Sequence, residues 1–286
     1  MFRALRFGGR AAWLLLLAVA ALAALTSTLA ARTAEARWAR DVSRMVFNDN
    51  LELLRRLEAG APNDSLRALL AAAPAPAAAG RPYLVVSIAE RRLWYRSGDS
   101  VLFTTQVATG SGKTLAREGP GAAGATHWTF ETPRGRLVVQ SRDSMPVWVP
   151  PDWHFVEQAR KRGLGLVRLE RGQALPAPDG SQVLVVGSDV VRRTPDGRQT
   201  ALGASDGREI VVGGNLVVPP FGTNQRKYPE VLGTRRLNLG DGYALHGTNR
   251  PETVGQAVSH GCVRLRNEDI EWLYDHVPVG TVVYLY

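Results

Sequence analysis

The hydrophobic positions divide the chain into three regions. Residues 11–31 carry no charge and consist mostly of Ala and Leu. In residues 33–70 the apolar positions lie three and four residues apart, which predicts helices, and the Pro- and Ala-rich stretch 71–80 predicts a linker. From residue 81 onward apolar and polar positions alternate between Gly and Pro breaks, which predicts short strands. We therefore expect a helical N-terminal part followed by a mainly β domain.

Within residues 81–286 the pattern predicts a strand hairpin that turns near residues 97–99, further short strands, and a final strand at the C-terminus. Two helices are expected to interrupt the strands. The first covers about 150–163 and starts at a Pro-Pro pair, which suits a helix entry. The second follows Asn267, a plausible N-cap residue, and stops before Pro278.

The N-terminal region has the features of an export segment. Three arginines and no acidic residue precede the uncharged run 11–31. As a helix this run is about 31 Å long, close to the thickness of a bilayer core. We expect a signal peptide or, because the run is long, a membrane anchor at 1–31, a helical spacer and linker at 32–80, and the main β domain at 81–286. Because the basic residues come first, the rest is expected outside the cytoplasm, on the periplasmic face.

The net charge adds little to this interpretation. The chain has 35 Lys+Arg and 26 Asp+Glu, a formal charge of +9. No dense basic run with interleaved aromatic residues occurs, so nucleic-acid binding is not expected. A basic exported domain suits an anionic polymer of the cell envelope or a membrane surface.

The candidate chemistry lies near the C-terminus. Cys262 is the single cysteine, so it cannot form an internal disulfide. His246 ends a predicted strand, and a polar loop brings Cys262 back sixteen residues later. An imidazole can activate a thiol as a nucleophile, and the carbonyl of Gly247 could fix its tautomer. The N–H groups of Gly261 and Cys262 could stabilise an oxyanion, and Arg264 could bind a substrate carboxylate.

Two other interpretations of this segment stay open. A lone cysteine is often a buried, inert core residue. A zinc site made of His246, His260 and Cys262 is possible by ligand type, but the spacing matches no common zinc motif, so no metal is expected.

The motif His246-Gly247 followed by Ser259-His260-Gly261-Cys262-Val263-Arg264 resembles the signature of the L,D-transpeptidases with a YkuD-type catalytic domain. The hairpin that opens the β region and the Thr-Pro-x-Gly element at 132–135 are also similar to that family. The resemblance covers 81–286. The stretch from about 140 to 218 is longer than the minimal domain and is expected to be an elaboration. Trp148 and Trp153 in it could line the cleft, but an ordinary packing role is favoured for both.

The resemblance implies a mainly β, sandwich-like or barrel-like domain that acts on peptidoglycan stem peptides without a metal or cofactor. Cys262 would form a thioester with a stem tetrapeptide and pass it to an amine, which gives a 3→3 cross-link and contributes to cell-wall organisation and cell shape. His246 would be the base, Gly247 would orient it, Gly261 would be an oxyanion donor, and carbapenems would inactivate the enzyme. The residues expected to shape the substrate site are Ser259, His260, Arg264, Tyr228 and Tyr243.

Other acceptors and a non-enzymatic role remain as alternatives. With water as acceptor the protein would be an L,D-carboxypeptidase or endopeptidase, and with a lipoprotein lysine it would be an anchoring enzyme. A peptidoglycan-binding module without activity is the third possibility, although such a module has no use for an intact Cys262 and His246.

Overall fold

The computed structural model of the protein describes residues 81–98, 100–117 and 126–286, together with 13–14, 16–30, 32–33, 36 and 40 near the N-terminus. The described residues between 81 and 285 belong to one compact unit. The predicted spacer and linker at 32–80 lie almost wholly outside the described residues.

The described residues near the N-terminus are helical and exposed. Within the part of the chain that the structure describes, no helix combines the length and the apolar character needed to cross a membrane. The expected membrane anchor at 11–31 has no such helix in support among these residues.

The C-terminal unit is mainly β, as the sequence predicts. Its strands are β1 (Tyr83–Ser87), β2 (Arg92–Ser97), β3 (Ser100–Gln106), β4 (Thr109–Gly110), β5 (Thr114–Arg117), β6 (Thr126–Thr129), β7 (Gly135–Val138), β8 (Ser141–Ser144), β9 (Gly165–Arg168), β10 (Ala174–Pro176), β11 (Gln182–Val186), β12 (Asp189–Arg193), β13 (Gln199–Ala201), β14 (Val211–Val212), β15 (Asn215–Val218), β16 (Arg235–Gly240), β17 (Tyr243–His246), β18 (Ala257–Ser259), β19 (Val263–Arg264) and β20 (Val282–Leu285). The helices are α1 (Asp152–Arg162) and α2 (Asn267–His276), with short 3-10 turns at Asn224–Arg226 and Pro251–Thr253.

Two sheets and α2 enclose the main hydrophobic core. One sheet has the order β3-β2-β1-β20-β7, and the other has the order β19-β17-β16-β8. The pairs β1–β20 and β17–β19 are parallel, and the remaining neighbours in these sheets are antiparallel. The core joins alternate residues of both sheets with the inner face of α2, as expected when period-2 strands bury one face. These buried residues include Leu84, Val86, Leu93, Leu237, Leu245, Val263, Ile270 and Leu273.

Helix α2 begins one residue earlier than predicted. Arg266 is the N-cap residue and Asn267 is the first helical residue, with no capping hydrogen bond from a side chain. The Asn267 carboxamide instead binds backbone outside its own helix. Its Oδ1 accepts hydrogen bonds from the N–H of Thr248 at 3.1 Å and from the N–H of Thr234 at 3.4 Å. The predicted N-cap role is corrected, because this long-range hydrogen bonding takes the place of a local cap.

A separate group of elements packs beside the main sheets; we call α1 with β9 to β15 the peripheral layer. It contains the sheets β10-β11-β12-β13 and β14-β15-β9. Its buried residues form a core of their own, and α1 packs on β15 through Phe155 and Ala159. As predicted, α1 follows the Pro-Pro pair, and it ends at Gly163, whose φ of 62° is the left-handed conformation that terminates many helices.

Arg226 fixes the start of α1 to the end of β15. Its guanidinium is fully buried and donates to the carbonyl oxygens of Pro150 at 3.0 Å and Pro219 at 2.9 Å, and to Asp152 at 2.6 Å. The ring of Phe221 lies 3.6 Å from the guanidinium carbon. A buried cation that has all these partners is satisfied, and it sets the position of α1 within the peripheral layer.

Candidate active site

His246 is held at the end of β17. The parallel register pairs Leu245 with Val263 and His246 with Arg264, which brings the start of β19 beside the histidine strand. Leu265 N–H donates to the His246 carbonyl at 2.9 Å. The imidazole is 3% exposed, and its Nδ1 lies 2.6 Å from the carbonyl oxygen of Gly247. Because a carbonyl only accepts, Nδ1 carries the hydrogen and Nε2 is left with a lone pair.

Cys262 immediately precedes β19, so the same register places its thiol near β17. The Sγ lies 3.5 Å from the carbonyl oxygen of Gly242 and accepts a hydrogen bond from the backbone of Ala244. Cys262 is in no disulfide, and the residue as a whole is half-buried. Cys262 and His246 line the same cavity of about 790 Å³.

Burial keeps both groups neutral at rest. It lowers the pKa of His246 to about 4, with the positive charge of Arg264 as the next cause. Burial also raises the pKa of Cys262, against the smaller lowering effects of Ala244 and the nearby arginines. At neutral pH the site therefore holds a thiol and a neutral imidazole, and an attack by sulfur needs the imidazole to accept the proton.

A chain of hydrogen bonds holds the peptide groups on both sides of Gly261. The Gly110 N–H donates to Thr132 Oγ1 at 2.7 Å, and this hydroxyl donates to the Gly261 carbonyl at 3.0 Å. On the other side Gly261 N–H donates to Ser259 Oγ at 3.1 Å, and that hydroxyl donates to the Cys262 carbonyl. The Gly261 N–H that the sequence assigns to oxyanion binding thus holds the loop in this structure, and its oxyanion role stays a prediction.

Glycine is required at two positions of the site because space is lacking. A Cβ on Gly247 would lie 2.2 Å from Asn267 Oδ1. Gly261 has a φ of 130°, and a Cβ there would lie 2.9 Å from the ring of Tyr243. Both glycines therefore allow a close approach of backbone that any side chain would prevent.

Two arginines make the surroundings of the thiol positive. Arg236, on β16, is paired with Asp143 at 2.6 Å. Arg264 is half-buried, and burial lowers the pKa of its guanidinium. Both line the cavity and lie near enough to Cys262 and His246 to lower their pKa values. Such charges suit a substrate that carries a carboxylate.

Helix α1 of the peripheral layer and the segment before it form another wall of the cavity. Trp148 and Trp153 line it, and so does Glu157 on α1. His260 reaches this wall: its ring stacks on Trp153 with centroids 4.2 Å apart, and its Nε2 lies 3.3 Å from Glu157 Oε2. One wall thus comes from the strands that carry the thiol, and the other comes from α1 and the segment before it.

The predicted substrate residues separate into two groups. Ser259, His260, Arg264 and Tyr243 line the cavity. Tyr228 does not: it is 1% exposed, and its ring packs against Trp148 at 5.9 Å and His154 at 5.7 Å. The expectation that Tyr228 contacts substrate is corrected, because its position in this aromatic cluster leaves no surface for a ligand.

The residues of the zinc alternative are engaged elsewhere. His246 Nδ1 faces Gly247, and His260 Nε2 faces Glu157. Among the residues that the structure describes, the group of ligand atoms close enough to hold an ion is that of His154, Asp206 and Glu209. Glu209 is paired with Arg162 at 3.1 Å and Asp206 with Arg250 at 2.6 Å, so arginines already neutralise both carboxylates.

The family model "L,D-transpeptidase catalytic domain" (YkuD) matches residues 81–285. The chain belongs to this family. Similar curated proteins include the probable L,D-transpeptidase YbiS of Escherichia coli, 58% identical over 52 residues that cover 18% of this chain and 17% of that protein. Another is the putative L,D-transpeptidase YkuD of Bacillus subtilis, 40% identical over 80 residues, or 26% of this chain and 49% of that protein.

The matched segments span less than a fifth of YbiS and about half of the Bacillus subtilis protein. Among solved structures, an L,D-transpeptidase fragment (residues 123–326) from Xylanimonas cellulosilytica is 18% identical, with a TM-score of 0.36, and the match covers 79% of this chain and 70% of that one. An L,D-transpeptidase from Mycobacterium smegmatis matches with a TM-score of 0.35 and 15% identity over 72% of this chain and 58% of that one.

In this member of the L,D-transpeptidase family, sequence reasoning missed three supporting residues. Glu157 and Asn267 act through contacts that span 103 and 19 positions of the chain, and local patterns carry no signal for such contacts. The Thr-Pro-x-Gly motif did point to the segment of Thr132, although not to its hydrogen bond with the loop before the cysteine.

Proposed function

We propose that the protein is a peptidoglycan L,D-transpeptidase that works through a cysteine thioester. The observation that carries this proposal is the parallel β17–β19 register, which brings a buried, neutral His246 and the thiol of Cys262 to one cavity. Membership of the family supports the same reaction class. The cavity of about 790 Å³ is large enough for an extended peptide segment.

In the first half-reaction Cys262 Sγ attacks the carbonyl carbon of the L-centre of the diamino acid at position three of a donor tetrapeptide. His246 Nε2 takes the thiol proton as the C–S bond forms, and the Gly247 carbonyl holds the ring in the required tautomer. We assign oxyanion stabilisation to the Cys262 N–H, with the Gly261 N–H as a second donor once Ser259 releases it. The C–N bond to D-alanine then breaks, and the departing amine takes the proton from His246.

In the second half-reaction an amine replaces D-alanine. It attacks the thioester carbonyl, transfers a proton to His246 and forms an amide, while the thiolate leaves and regains the proton. With the side-chain amine of a second stem the product is a 3→3 cross-link. Arg264 and Arg236 are suited to hold a stem carboxylate, because the two guanidiniums face the cavity from adjacent sides of His246.

For the remainder of the chain, we propose that residues 81–286 are the catalytic domain, that residues 32–80 are a spacer, and that the domain acts outside the cytoplasm. Three arginines followed by an uncharged stretch support export through the N-terminal segment. The substrate supports the same location, since peptidoglycan lies in the cell envelope.

The test uses the purified chain with disaccharide-tetrapeptides, and mass spectrometry of the products. The wild type should give cross-linked dimers and free D-alanine, and Cys262→Ala should give neither. Arg198→Ala, a change at a side chain that is 78% exposed on the distant β12–β13 turn, is the matched control and should behave as the wild type. Dimers and D-alanine from Cys262→Ala would refute the thiol mechanism, and disaccharide-tripeptide alone from the wild type would identify a carboxypeptidase.

A further inference from the structure

His260 is clamped by side chains that come from outside its own loop. Its ring stacks on Trp153 with an interplanar angle of 19° and a centroid distance of 4.2 Å. The edge of Phe130 closes a second side, with centroids 4.4 Å apart at 75°. Glu157 Oε2 lies 3.3 Å from Nε2. Two of these three contacts come from α1, in the peripheral layer.

The carboxylate of this clamp determines which nitrogen of His260 carries the hydrogen. The hydrogen bond from His260 is the largest of the causes that lower the pKa of Glu157 to about 2, so the carboxylate is ionised at neutral pH. An ionised carboxylate only accepts hydrogen bonds, so Nε2 of His260 must be the donor. In the neutral imidazole, Nδ1 is then the nitrogen without a hydrogen.

His260 is bonded directly to Gly261, which precedes the cysteine. Because the ring is held on three sides, the Cα of His260 has little freedom to shift. A shift of that Cα would move the peptide group between His260 and Gly261, and with it the hydrogen bonds that Gly261 makes to Ser259 and Thr132. The orientation of the Cys262 N–H and thiol depends on that same segment. The clamp therefore lies one residue away from the atoms that the proposed reaction uses.

We propose that Glu157 is a positioning residue for the cysteine: by accepting the Nε2–H of His260 it fixes the ring, and the fixed ring holds the loop of Cys262 in its reactive geometry. The proposal rests on the proposed function, since it concerns acylation of the same thiol. It assigns to α1, in the stretch that is expected to elaborate the minimal domain, a share in the alignment of the nucleophile.

The chain offers a matched control on the same helix. Lys161 pairs with Glu157 at 3.0 Å across one helical turn, and its side chain is 58% exposed. Lys161→Met removes this ion pair, which engages the same Oε2 as His260, and keeps the carboxylate that accepts the hydrogen bond from His260. Exposed pairs of this kind contribute little to helix stability. A purely structural role of Glu157 in the helix would therefore appear equally in Lys161→Met.

The experiment measures the rate at which imipenem acylates Cys262 in the full chain, by intact-protein mass spectrometry, for the wild type and three variants. Glu157→Leu keeps the bulk of the side chain and loses the acceptor, and it should slow acylation about tenfold or more, as supporting residues behind reactive groups commonly do. Glu157→Gln keeps an oxygen acceptor and should recover most of the rate. Lys161→Met should acylate as the wild type.

Wild-type rates in Glu157→Leu, or an equal loss in Lys161→Met, would overturn the proposal. Nitrogen-15 NMR of the imidazoles is a second measurement that needs no variant to fold: His260 of the wild type should carry its hydrogen on Nε2, and a hydrogen on Nδ1 alone would also overturn it. Failure of the wild type to react with imipenem or stem peptides would instead count against the proposed function, so the two failures are distinguishable.

Discussion

Acidification should destabilise the protein through His246. In the folded chain burial lowers the pKa of this histidine to about 4, against an ordinary value of 6.5 for the unfolded chain. The unfolded chain therefore binds the proton more readily than the folded one. The stability that the folded chain keeps because His246 is neutral is fully present above pH 6.5, and it is lost as the pH falls from 6.5 toward 4.

The size of the effect follows from that interval. One pKa unit corresponds to about 1.4 kcal/mol, so the difference between 6.5 and about 4 corresponds to about 3 kcal/mol in the free energy of unfolding at pH 4. This is a large share of the free energy of unfolding of a typical folded domain, which is about 5–15 kcal/mol. A marked shift of the unfolding midpoint is therefore expected.

Urea unfolding at pH 7 and pH 4 measures the effect, with His246→Gln as the reference. Gln has a neutral side chain at both pH values. Groups such as Glu157 titrate alike in both proteins, so their effects on stability cancel when the two proteins are compared. Between pH 7 and pH 4 the wild type should lose about 3 kcal/mol more than the variant. Equal losses would refute the reasoning, since they would mean that folding does not keep His246 neutral.

The other predictions concern the groups that hold the site. Thr132→Val should cost about 2 kcal/mol of stability and slow acylation of Cys262 more than tenfold, because two buried backbone groups lose their partner; Thr132→Ser should retain both properties. Gly247→Ala should cost about 1–3 kcal/mol in thermal unfolding because its Cβ has no room, whereas Gly203→Ala, at an open position, should be neutral. Asn267→Ala should cost about 1–2 kcal/mol and reduce product formation, while Asn267→Asp, which keeps the acceptor, should lose less; a neutral Asn267→Ala would contradict its role behind Gly247.

The sequence predicted the elements with a strong local pattern. The opening hairpin pairs Val85 with Trp94 in a simple antiparallel register, as its alternating residues indicate. Helix α1 lies between a Pro-Pro start and a Gly stop, both of which act through the backbone of the adjacent turn. The placement of His246 at a strand end and of Cys262 before the last helix was predictable for the same reason, since each follows from a Gly-bounded strand or turn.

The errors concern side chains whose roles are set by distant parts of the chain. Tyr228 stands in a polar segment, which is typical of a cleft residue, yet it forms an isolated antiparallel bridge with Trp148 and is buried. Asn267 satisfies the local rule for an N-cap, but its Oδ1 accepts hydrogen bonds from Thr248, just after the His246 strand, and from Thr234. The clamp on His260 joins residues 103 positions apart, and periodicity or capping patterns contain no information at that distance.

The two walls of the cavity differ in their share of the proposed chemistry: one carries the reacting groups, and the other acts on them only through the clamp on His260. The strands that carry His246 and Cys262 belong to the main core, whereas most of the facing wall belongs to the peripheral layer, which has a core of its own. Changes at Trp148 or along the outer turns of α1 can accumulate without loss of the strands that hold the thiol. A directed-evolution library confined to that wall, with Glu157 and Trp153 kept, is therefore a rational route to altered acceptor preference in a protein whose chemistry stays intact.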